Sequence, residues 1–558
     1  MRDAAQSAPL VVAIALPLTL MGAAGARAQP QAPPAEPAAA ALDVRALELG
    51  GALIGPVSIR IDNVFDPSNP EEDKPLYRWA NRVHMRTRQS VVEDILLFET
   101  GDPLDARVLE ESARLLRERG FVADAAVRAA SYDPATNTAA VDVWMRDAWS
   151  LEPDIKLSRS GGENEYGIGI SEDNLLGLGK SFTVSYTSDV DRDETFIGYS
   201  DRNVAGGRTR LDVALANTSD GDRVQIAAGR PFFSFDTRWS AAGSLLDDRR
   251  VDSVYDLGEV IDEFRHDTRF VSIQGGWSRG LVDGKAQRWF AGFTYDEDEF
   301  APTPELPQGL LLPGDRKLAY PWIGWQLVAD DFRQMTELND MGRTEDVALG
   351  LDVFASIGFA SDAFGADRTA TILNASARKG WEPGGPGRLL LLDASASARR
   401  ESDAMRNALF AASARYYRRN AGNRLFSASL TTVLANRLDA ENQVLLGGDN
   451  GLRGYPLRYQ SGERSAVLTL EERFFTDWYP FRLLRVGYAV FMDAGRVWGN
   501  DARGTPNLGT LYDVGIGLRL TSPRSSGGSV IHIDLAFPLN GDSSIDDVQL
   551  IVERKASF

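Results

Sequence analysis

The strongest constraint on this chain is a two-residue alternation of apolar and polar side chains that recurs from about residue 150 to the end. In the segment LYDVGIGLRL the apolar residues fall on one side: Tyr512, Val514, Ile516, Leu518 and Leu520. The segment VIHIDLAF repeats the pattern, with His532 and Asp534 on its polar side. Because successive side chains of a strand point to opposite faces, each segment predicts a β-strand with one apolar and one polar face.

Two classes of β-protein alternate in this way, the soluble sandwich and the membrane barrel. A sandwich needs a dry core, but the second face of these segments is small or charged, as at Asp513 and Arg519. The apolar face also ends in aromatic residues, which are enriched where strands leave a membrane: Tyr166, Tyr186, Tyr512 and Phe537. The sequence therefore predicts an all-β transmembrane antiparallel barrel over residues 151–558, with lipid outside and a polar lumen.

The N-terminus predicts export. Residues 1–28 combine Arg2, an apolar run from Leu10 to Met21 and the cleavage pattern Ala26-Arg27-Ala28, which together are typical of a signal peptide. The alternative, a membrane anchor, needs about 20 apolar residues, and Pro17 interrupts this run. Residues 29–50 read as a Pro/Ala-rich linker. An exported barrel is expected in the outer membrane of the cell.

A small α+β domain is predicted over residues 51–150. The order is a strand at Val57–Val64, two helices separated by Gly101-Asp102-Pro103, and two strands joined by the turn DPATNT. Asp105 is placed to cap the second helix. With FETGDPLD between the helices and LLRERGF ending the second, this order resembles a POTRA (polypeptide-transport-associated) domain, which implies a periplasmic location. Residues 66–88 exceed that pattern and are interpreted only as a surface or docking insertion.

Composition argues against several functions. The chain has 60 Lys and Arg against 79 Asp and Glu, a net charge of -19, so nucleic acid is not expected as a partner. It has no cysteine and only three scattered histidines, His84, His266 and His532, so no metal site and no cofactor are predicted. No G-x-S-x-G element supplies a nucleophile, and we expect no enzymatic activity.

One glycine-rich loop stands out near the C-terminus. The stretch GGDNGLRGYP contains Leu452-Arg453-Gly454-Tyr455, and five alternating segments follow it: Ser465–Phe475, Leu484–Trp498, Thr510–Thr521, Ser529–Leu539 and Asp547–Phe558. In the first two of these segments the apolar face is set by residues such as Leu468, Leu470, Val490 and Met492. This parity turns Glu471 and Asp493 toward the lumen.

These features resemble the bacterial surface antigen superfamily, which includes the BamA- and TamA-like insertases and the two-partner-secretion transporters. The loop matches the (V/I)RG(F/Y) tip of that family. The segment FMDAGRVW matches F-x-D-x-G at Phe491, Asp493 and Gly495, and EDNLLGLGK resembles the family's N-L-L-G-x-G. The resemblance implies that Arg453 reaches the inward acids Glu471 and Asp493.

The strand number is left open between two values. The resemblance implies 16 strands, which places eleven before the loop. The alternation instead gives roughly fifteen segments between Leu151 and Arg437, so that the barrel has up to about 20 strands.

The last segment, DVQLIVERKASF, also carries a resemblance. Its face formed by Val548, Leu550 and Val552, with the terminal Phe558, resembles the signal that outer-membrane barrels present to their assembly machinery. Arg554 lies on the same face and departs from the apolar pattern.

The family resemblance implies a function in assembling, inserting or translocating polypeptides at the outer membrane. The alternatives are a dedicated two-partner-type secretion transporter and a non-transport pore. The implied partners are outer-membrane lipid or lipopolysaccharide and an unfolded client polypeptide held by an edge strand of the POTRA domain. An accessory protein in the periplasm or inner membrane is left open, and the sequence does not identify the client.

Overall fold

The computed structural model describes residues 42–304, 312–339, 341–402, 404–499, 508–543 and 545–555. The predicted signal peptide, most of the predicted linker and Phe558 lie outside these residues. The described chain forms an N-terminal α+β domain followed by a closed β-barrel. No helix in these ranges is long and apolar enough to cross a membrane.

The N-terminal domain is a three-stranded sheet covered by helices. Its elements are α1 Val44–Leu49, β1 Leu53–Asp62, α2 Pro75–Val83, α3 Gln89–Ile95, α4 Ala106–Arg117, β2 Val122–Asp133 and β3 Thr138–Asp147. Strand β3 is central, parallel to β1 and antiparallel to β2. The Asp105 carboxylate accepts hydrogen bonds from the backbone of Arg107 and Val108 at 2.8 and 3.2 Å, so it caps α4 as the sequence predicts. The predicted element order is present, with α1 and α2 added.

Helix α1 lies within the predicted linker. Asp43 caps it by accepting a hydrogen bond from the backbone of Ala46 at 3.1 Å. Val44 and Leu47 pack against the core of the domain, which includes Leu109 and Leu116. The ordered domain therefore begins before residue 51, because these two apolar side chains in an otherwise Ala-rich stretch gain burial against it.

The remaining strands alternate along the chain with short turns and two inserted hairpins. They are β4 Leu151–Ser160, β5 Glu163–Glu172, β6 Lys180–Ser188, β7 Asp193–Val204, β8 Thr209–Thr218, β9 Asp222–Arg230, β10 Trp239–Asp256, β11 Glu259–Val282, β12 Lys285–Pro302, β13 Arg316–Ala329, β14 Phe332–Thr336, β15 Thr344–Ala348, β16 Asp352–Ala360, β17 Ala370–Trp381, β18 Arg388–Glu401, β19 Ala404–Asn420, β20 Arg424–Asn436, β21 Val444–Leu446, β22 Gln460–Gly462, β23 Arg464–Phe475, β24 Arg485–Trp498, β25 Leu511–Thr521, β26 Val530–Pro538 and β27 Gln549–Lys555.

Twenty of these strands form one closed antiparallel barrel, in which β27 returns to β4. The hairpins β14–β15 and β21–β22 stand outside this sheet. The count taken from the alternation is confirmed, with fifteen strands before the glycine-rich loop and five after it. The expectation of 16 strands is wrong. The matched motifs lie mostly in the last strands, and they place no limit on how many hairpins precede them.

The barrel exposes apolar side chains and buries charged ones. Ile155, Ile168 and Ile516 are 71%, 67% and 55% exposed, whereas Arg519 and Asp534 are fully buried inside. An apolar exterior around a polar interior is the reverse of a soluble protein and is the arrangement of a membrane-spanning barrel. The inward and outward faces predicted from parity are therefore confirmed.

The two mouths of the barrel differ. The near mouth is the one where β4 begins, and the N-terminal domain covers it. The far mouth is at the opposite end. The segment 330–351, which contains β14 and β15, connects β13 to β16 at the near mouth. The segment 437–463, which contains β21 and β22, connects β20 to β23 at the far mouth.

The inserted segment 66–88 and the residues just before it dock the N-terminal domain onto near-mouth turns. Arg524, in the turn between β25 and β26, donates to the carbonyl of Val64 at 2.8 Å and pairs with Glu72 at 2.5 Å. The hydroxyl of Tyr77 in α2 donates to the carbonyl of Phe481, in the turn between β23 and β24. The insertion thus has a docking contact that its sequence alone only suggested.

Candidate functional site

The segment 437–463 folds from the far mouth into the lumen. Its tip is buried by apolar contacts, with Leu452 and Tyr455 fully buried near Val497 and Leu511. A Cβ atom on Gly454 would lie 2.7 Å from the Cβ of Asp513 in β25, so the loop backbone touches the lumen wall where only glycine fits.

Gly495 allows the same close approach from the wall. A Cβ atom there would lie 3.0 Å from the side chains of Leu446 and Leu452. On the other side of the tip, the Tyr455 hydroxyl lies within hydrogen-bond distance of the carbonyl oxygens of Tyr512 and Asn540, at 2.8 and 2.9 Å. The four motif residues are therefore seated against β24, β25 and the segment after β26.

Arg453 is the polar centre of the loop tip. Its guanidinium donates to both carboxylate oxygens of Asp493 at 2.7 and 3.0 Å, and to Glu471 at 3.3 Å. It also donates to Asp534 at 3.3 Å. Its Cζ atom lies 3.3 Å from the centre of the Phe491 ring. The structure therefore brings Arg453 together with Glu471 and Asp493, the two acids that the resemblance placed around it, and adds Asp534 and the ring of Phe491.

Four further charged residues complete this network, and the sequence analysis did not assign any of them to the loop. Arg519 pairs with Asp534 and, at 3.3 Å, with Glu471. Asp513 accepts a hydrogen bond from the backbone of Gly454 at 3.1 Å. Arg473 pairs with Glu471 at 2.8 Å. The signal was present in the sequence, because parity turns all four of these residues inward, and charged residues that face a lumen need partners.

Arg473 also links the loop tip to the near mouth. Its guanidinium donates to the carbonyl of Leu338 at 2.7 Å, in the segment 330–351. Leu338, Met341 and Leu349 of that segment are buried against apolar side chains of the barrel wall: Leu389, Tyr417, Leu425, Phe475, Ala489 and Val530. The near-mouth segment therefore enters the lumen. Glu471 is contacted both by Arg453 of the segment 437–463 and by Arg473, which binds the segment 330–351.

The N-terminal domain holds the near-mouth segment. Arg117 of α4 makes two hydrogen bonds to the carboxylate of Asp346 in β15, at 2.7 and 2.8 Å. The guanidinium of Arg114 lies over the ring of Phe332 in β14, 3.8 Å from its centre. A continuous set of contacts thus runs from α4 through β14–β15 to the network around Arg453.

The loop also reaches the opposite side of the barrel. Arg458 makes two hydrogen bonds to Asp191, in the turn between β6 and β7, at 2.7 and 2.6 Å. The hydroxyl of Ser160, at the end of β4, donates to the carbonyl of Gly448 at 3.0 Å. The segment 437–463 therefore braces the first strands against the last.

The seam between β27 and β4 is the weakest junction in the barrel. In the described residues its only paired position is Val552 opposite Arg159, whereas every other pair of barrel neighbours has at least seven paired positions. The hydroxyl of Ser158 adds one hydrogen bond to the carbonyl of Val552 at 2.8 Å.

The predicted C-terminal signal lies along this seam. Val548 and Leu550 are 46% and 42% exposed on the barrel exterior, and Val552 is half-buried at the paired position. Arg554, which departs from the apolar pattern, pairs with Glu152 and Asp154 of β4 at 3.0 and 3.1 Å, at the near-mouth end. An arginine at a membrane boundary destabilises a barrel by only about 0–1 kcal/mol. Here its side chain forms ion pairs across the seam.

A cavity of about 1520 Å³ lies between the N-terminal domain and the lumen wall of β4–β9. Its lining includes cationic side chains of that wall, such as Lys180, Arg202 and Arg210. The segments 330–351 and 437–463 therefore do not fill the lumen on this side. Among the described residues, no cluster of three or more His, Asp or Glu side chains is arranged to hold a metal ion.

The comparisons with known proteins give structural likenesses only. No protein-family model and no curated protein matches this chain. BamA from Haemophilus ducreyi lacking POTRA domains 1-3 aligns at 12% identity over 90% of this chain and 84% of that chain, with a TM-score of 0.38. CdiB from Acinetobacter baumannii aligns at 12% identity over 90% and 73%, with a TM-score of 0.46, and CdiB from Escherichia coli at 12% over 96% and 95%, with a TM-score of 0.37. Such low identities and TM-scores carry no argument about family or function.

Proposed function

We propose that this chain is an outer-membrane barrel that assists the insertion or translocation of other polypeptides, with its N-terminal domain in the periplasm. The observation that carries the proposal is the seam, where β27 and β4 share one paired position in the described residues. The motif resemblance of the loop tip and of its inward acids supports it.

The seam offers what a client strand needs. Unpaired backbone groups are costly in lipid, so a strand can enter a membrane only if its hydrogen bonds are satisfied. An edge with free N–H and C=O groups is a template for another strand. Opening between β27 and β4 breaks few hydrogen bonds and presents such an edge to a client, within reach of the bilayer.

The network around Arg453 has a holding role in this proposal, not a catalytic one. It fixes the loop tip to β23, β24 and β26, the wall next to the strands that must part. Buried ion pairs with several partners are rigid because each charge depends on the others for solvation. The wall then keeps its shape while the seam opens.

The N-terminal domain supplies a site for the arriving client. In the described residues β2 pairs only with β3, so its second edge is open. An extended polypeptide can add to such an edge by main-chain hydrogen bonds. Lipid or lipopolysaccharide surrounds the barrel in this scheme, and an accessory protein in the periplasm or inner membrane is not required by it.

A second candidate is secretion of one dedicated substrate through the lumen, which the 1520 Å³ cavity beside β4–β9 favours. In that case the segments 330–351 and 437–463 act as plugs that must move. The two candidates differ in what crosses the barrel, and in how many proteins depend on it.

Depletion of the protein, followed by quantitative mass spectrometry of the outer-membrane and secreted proteomes, separates these functions. Loss of several unrelated barrels supports insertion. Loss of one secreted or surface protein supports a dedicated transporter. An unchanged proteome contradicts both functions and leaves the non-transport pore as the remaining hypothesis.

A further inference from the structure

Helix α2 carries an apolar stripe that no described residue covers. Leu76, Trp79 and Val83 are 59%, 56% and 49% exposed. Their spacing of three and four residues places them on one side of the helix. Met85, just after the helix, is 54% exposed. Large apolar side chains grouped in this way on a surface mark a contact with another apolar surface.

The other sides of α2 are accounted for. Tyr77 is buried, stacks on Phe65 with ring centres 4.6 Å apart and binds the turn at Phe481. Arg78 and Arg82 lie away from the stripe, and Lys74 is the exposed N-cap residue of the helix. The helix is therefore amphipathic, with one apolar, one docked and one basic side.

The three acids just before the helix are paired, so they do not neutralise Lys74 or Arg82. Glu71 pairs with Arg482, Glu72 with Arg524, and Asp73 with Arg78. Lys74 and Arg82 form no ion pair within the described chain, although the Lys74 amino group lies 5.8 Å from the centre of the Tyr77 ring.

The position of α2 places the helix beside the expected membrane boundary. The turn that receives Tyr77 joins β23 to β24 and exposes Trp478 and Phe481 to 65% and 77%. Just inside this turn, Phe474 and Tyr488 stack on the barrel exterior with ring centres 4.6 Å apart. Aromatic side chains at strand ends mark the boundary between lipid and water. Helix α2 is thus docked, through Tyr77, onto a turn that lies at this boundary.

We propose that α2 is an interfacial helix, whose Leu76–Trp79–Val83 stripe lies in the boundary of the near-mouth leaflet and whose Lys74 and Arg82 bind anionic phospholipid headgroups. A helix with Trp and Leu on one side and basic residues on the other binds membranes in this way. The proposal rests on the barrel spanning a membrane and not on any handling of polypeptides. It makes the lipid surface a third anchor for the N-terminal domain, besides the near-mouth turns and the segment 330–351.

The chain has no cysteine, so a single introduced cysteine can carry a fluorescent label at a chosen place. We would label the variant Val83→Cys with an environment-sensitive fluorophore, reconstitute the full chain in phosphatidylglycerol-containing vesicles, and add lipids with a nitroxide on the acyl chain. Two controls are Leu49→Cys, at a 90% exposed position of α1, and Arg78→Cys on the basic side of α2.

We expect the nitroxide lipids to quench the label at residue 83 strongly and the labels at 49 and 78 weakly. Equal quenching at residues 83 and 49 overturns the proposal, because it reflects only partition of the fluorophore. A blue-shifted but unquenched label at residue 83 also overturns it, since a protein surface would then cover the stripe.

A second comparison tests whether Lys74 and Arg82 bind anionic headgroups. Quenching at residue 83 should fall in vesicles of phosphatidylcholine alone, and also in anionic vesicles when Lys74→Gln and Arg82→Gln are combined. Quenching that does not change in either case overturns the assignment of anionic phospholipid.

Discussion

The guanidinium of Arg453 donates two hydrogen bonds to the carboxylate of Asp493, at 2.7 and 3.0 Å, inside the barrel lumen. Arg453 is 7% exposed and Asp493 is fully buried. Neither charge can be solvated by water where it stands, so each depends on the other and on the acids and arginines around them.

Arg453→Ala should destabilise the folded barrel by about 3–5 kcal/mol, because it leaves buried carboxylates without their main counter-charge. The stability of Arg453→Lys should lie between those of Arg453→Ala and the unmutated chain. A lysine keeps the charge but cannot make the two-bond contact with Asp493. The free energy of unfolding can be measured by urea titration of the protein folded in vesicles.

The matched control is Arg249→Ala. Arg249 and its partner Asp222 are each 46% exposed, so this pair should contribute about 0–1 kcal/mol. Equal unfolding midpoints for the two alanine variants would show that the network around Arg453 does not hold the loop.

The structure also predicts the result of a charge exchange. The variant Arg453→Asp with Asp493→Arg should not recover stability, because Glu471 and Asp534 also lie against position 453 and would repel a new carboxylate. Arg453→Ala with Asp493→Asn should recover part of the loss, since it removes one unpaired charge. A fully stable exchange variant would mean that Asp493 is the only partner that matters.

The near-mouth segment should limit the pore. Arg117→Ala removes its two hydrogen bonds to Asp346 and should loosen the segment 330–351. Conductance follows the narrowest section of a pore, so we expect roughly a twofold or larger increase in planar-bilayer recordings. Arg128→Ala, at an exposed position of β2, is the control. Unchanged conductance in Arg117→Ala would place the constriction elsewhere.

Arg524 should determine how firmly the insertion docks. Arg524→Ala removes the hydrogen bond to the Val64 carbonyl and the ion pair with Glu72. Hydrogen bonds to charged groups contribute about 1.5–3 kcal/mol each, so local opening and tryptic cleavage at Arg78 or Arg82 should be faster by roughly tenfold or more. If cleavage rates match those of the unmutated chain, the turns do not hold the insertion.

The sequence predicted most of the barrel and the centre of its candidate site. Alternation identified the strands because lipid and lumen impose opposite demands on successive side chains. The same parity placed Glu471 and Asp493 inward. The same parity could also have indicated that Arg519 and Asp534 belong to this network, because their side chains alternate with apolar ones in β25 and β26.

The long-range contacts could not be predicted from the sequence, for a physical reason. The bond from Arg473 to the Leu338 carbonyl joins residues 135 positions apart, and no local pattern fixes such a meeting. The segment 330–351 carries no motif, so its entry into the lumen follows only from the closed barrel around it. The stripe of α2 has a helical period, but its exposure depends on which side Tyr77 turns to the barrel.

If β27 and β4 part to receive a client, a disulfide across the seam should block the function. Arg159→Cys and Val552→Cys replace facing residues of the two strands, and Ile533→Cys with Val552→Cys makes the matched disulfide on the other side of β27. Cells that carry either pair as their only copy are compared by outer-membrane and secreted proteomics, with and without a reductant. We expect the seam disulfide alone to reproduce the proteome of depleted cells, and reductant to restore the normal one. A normal proteome with the seam fully cross-linked would mean that the two strands do not need to part.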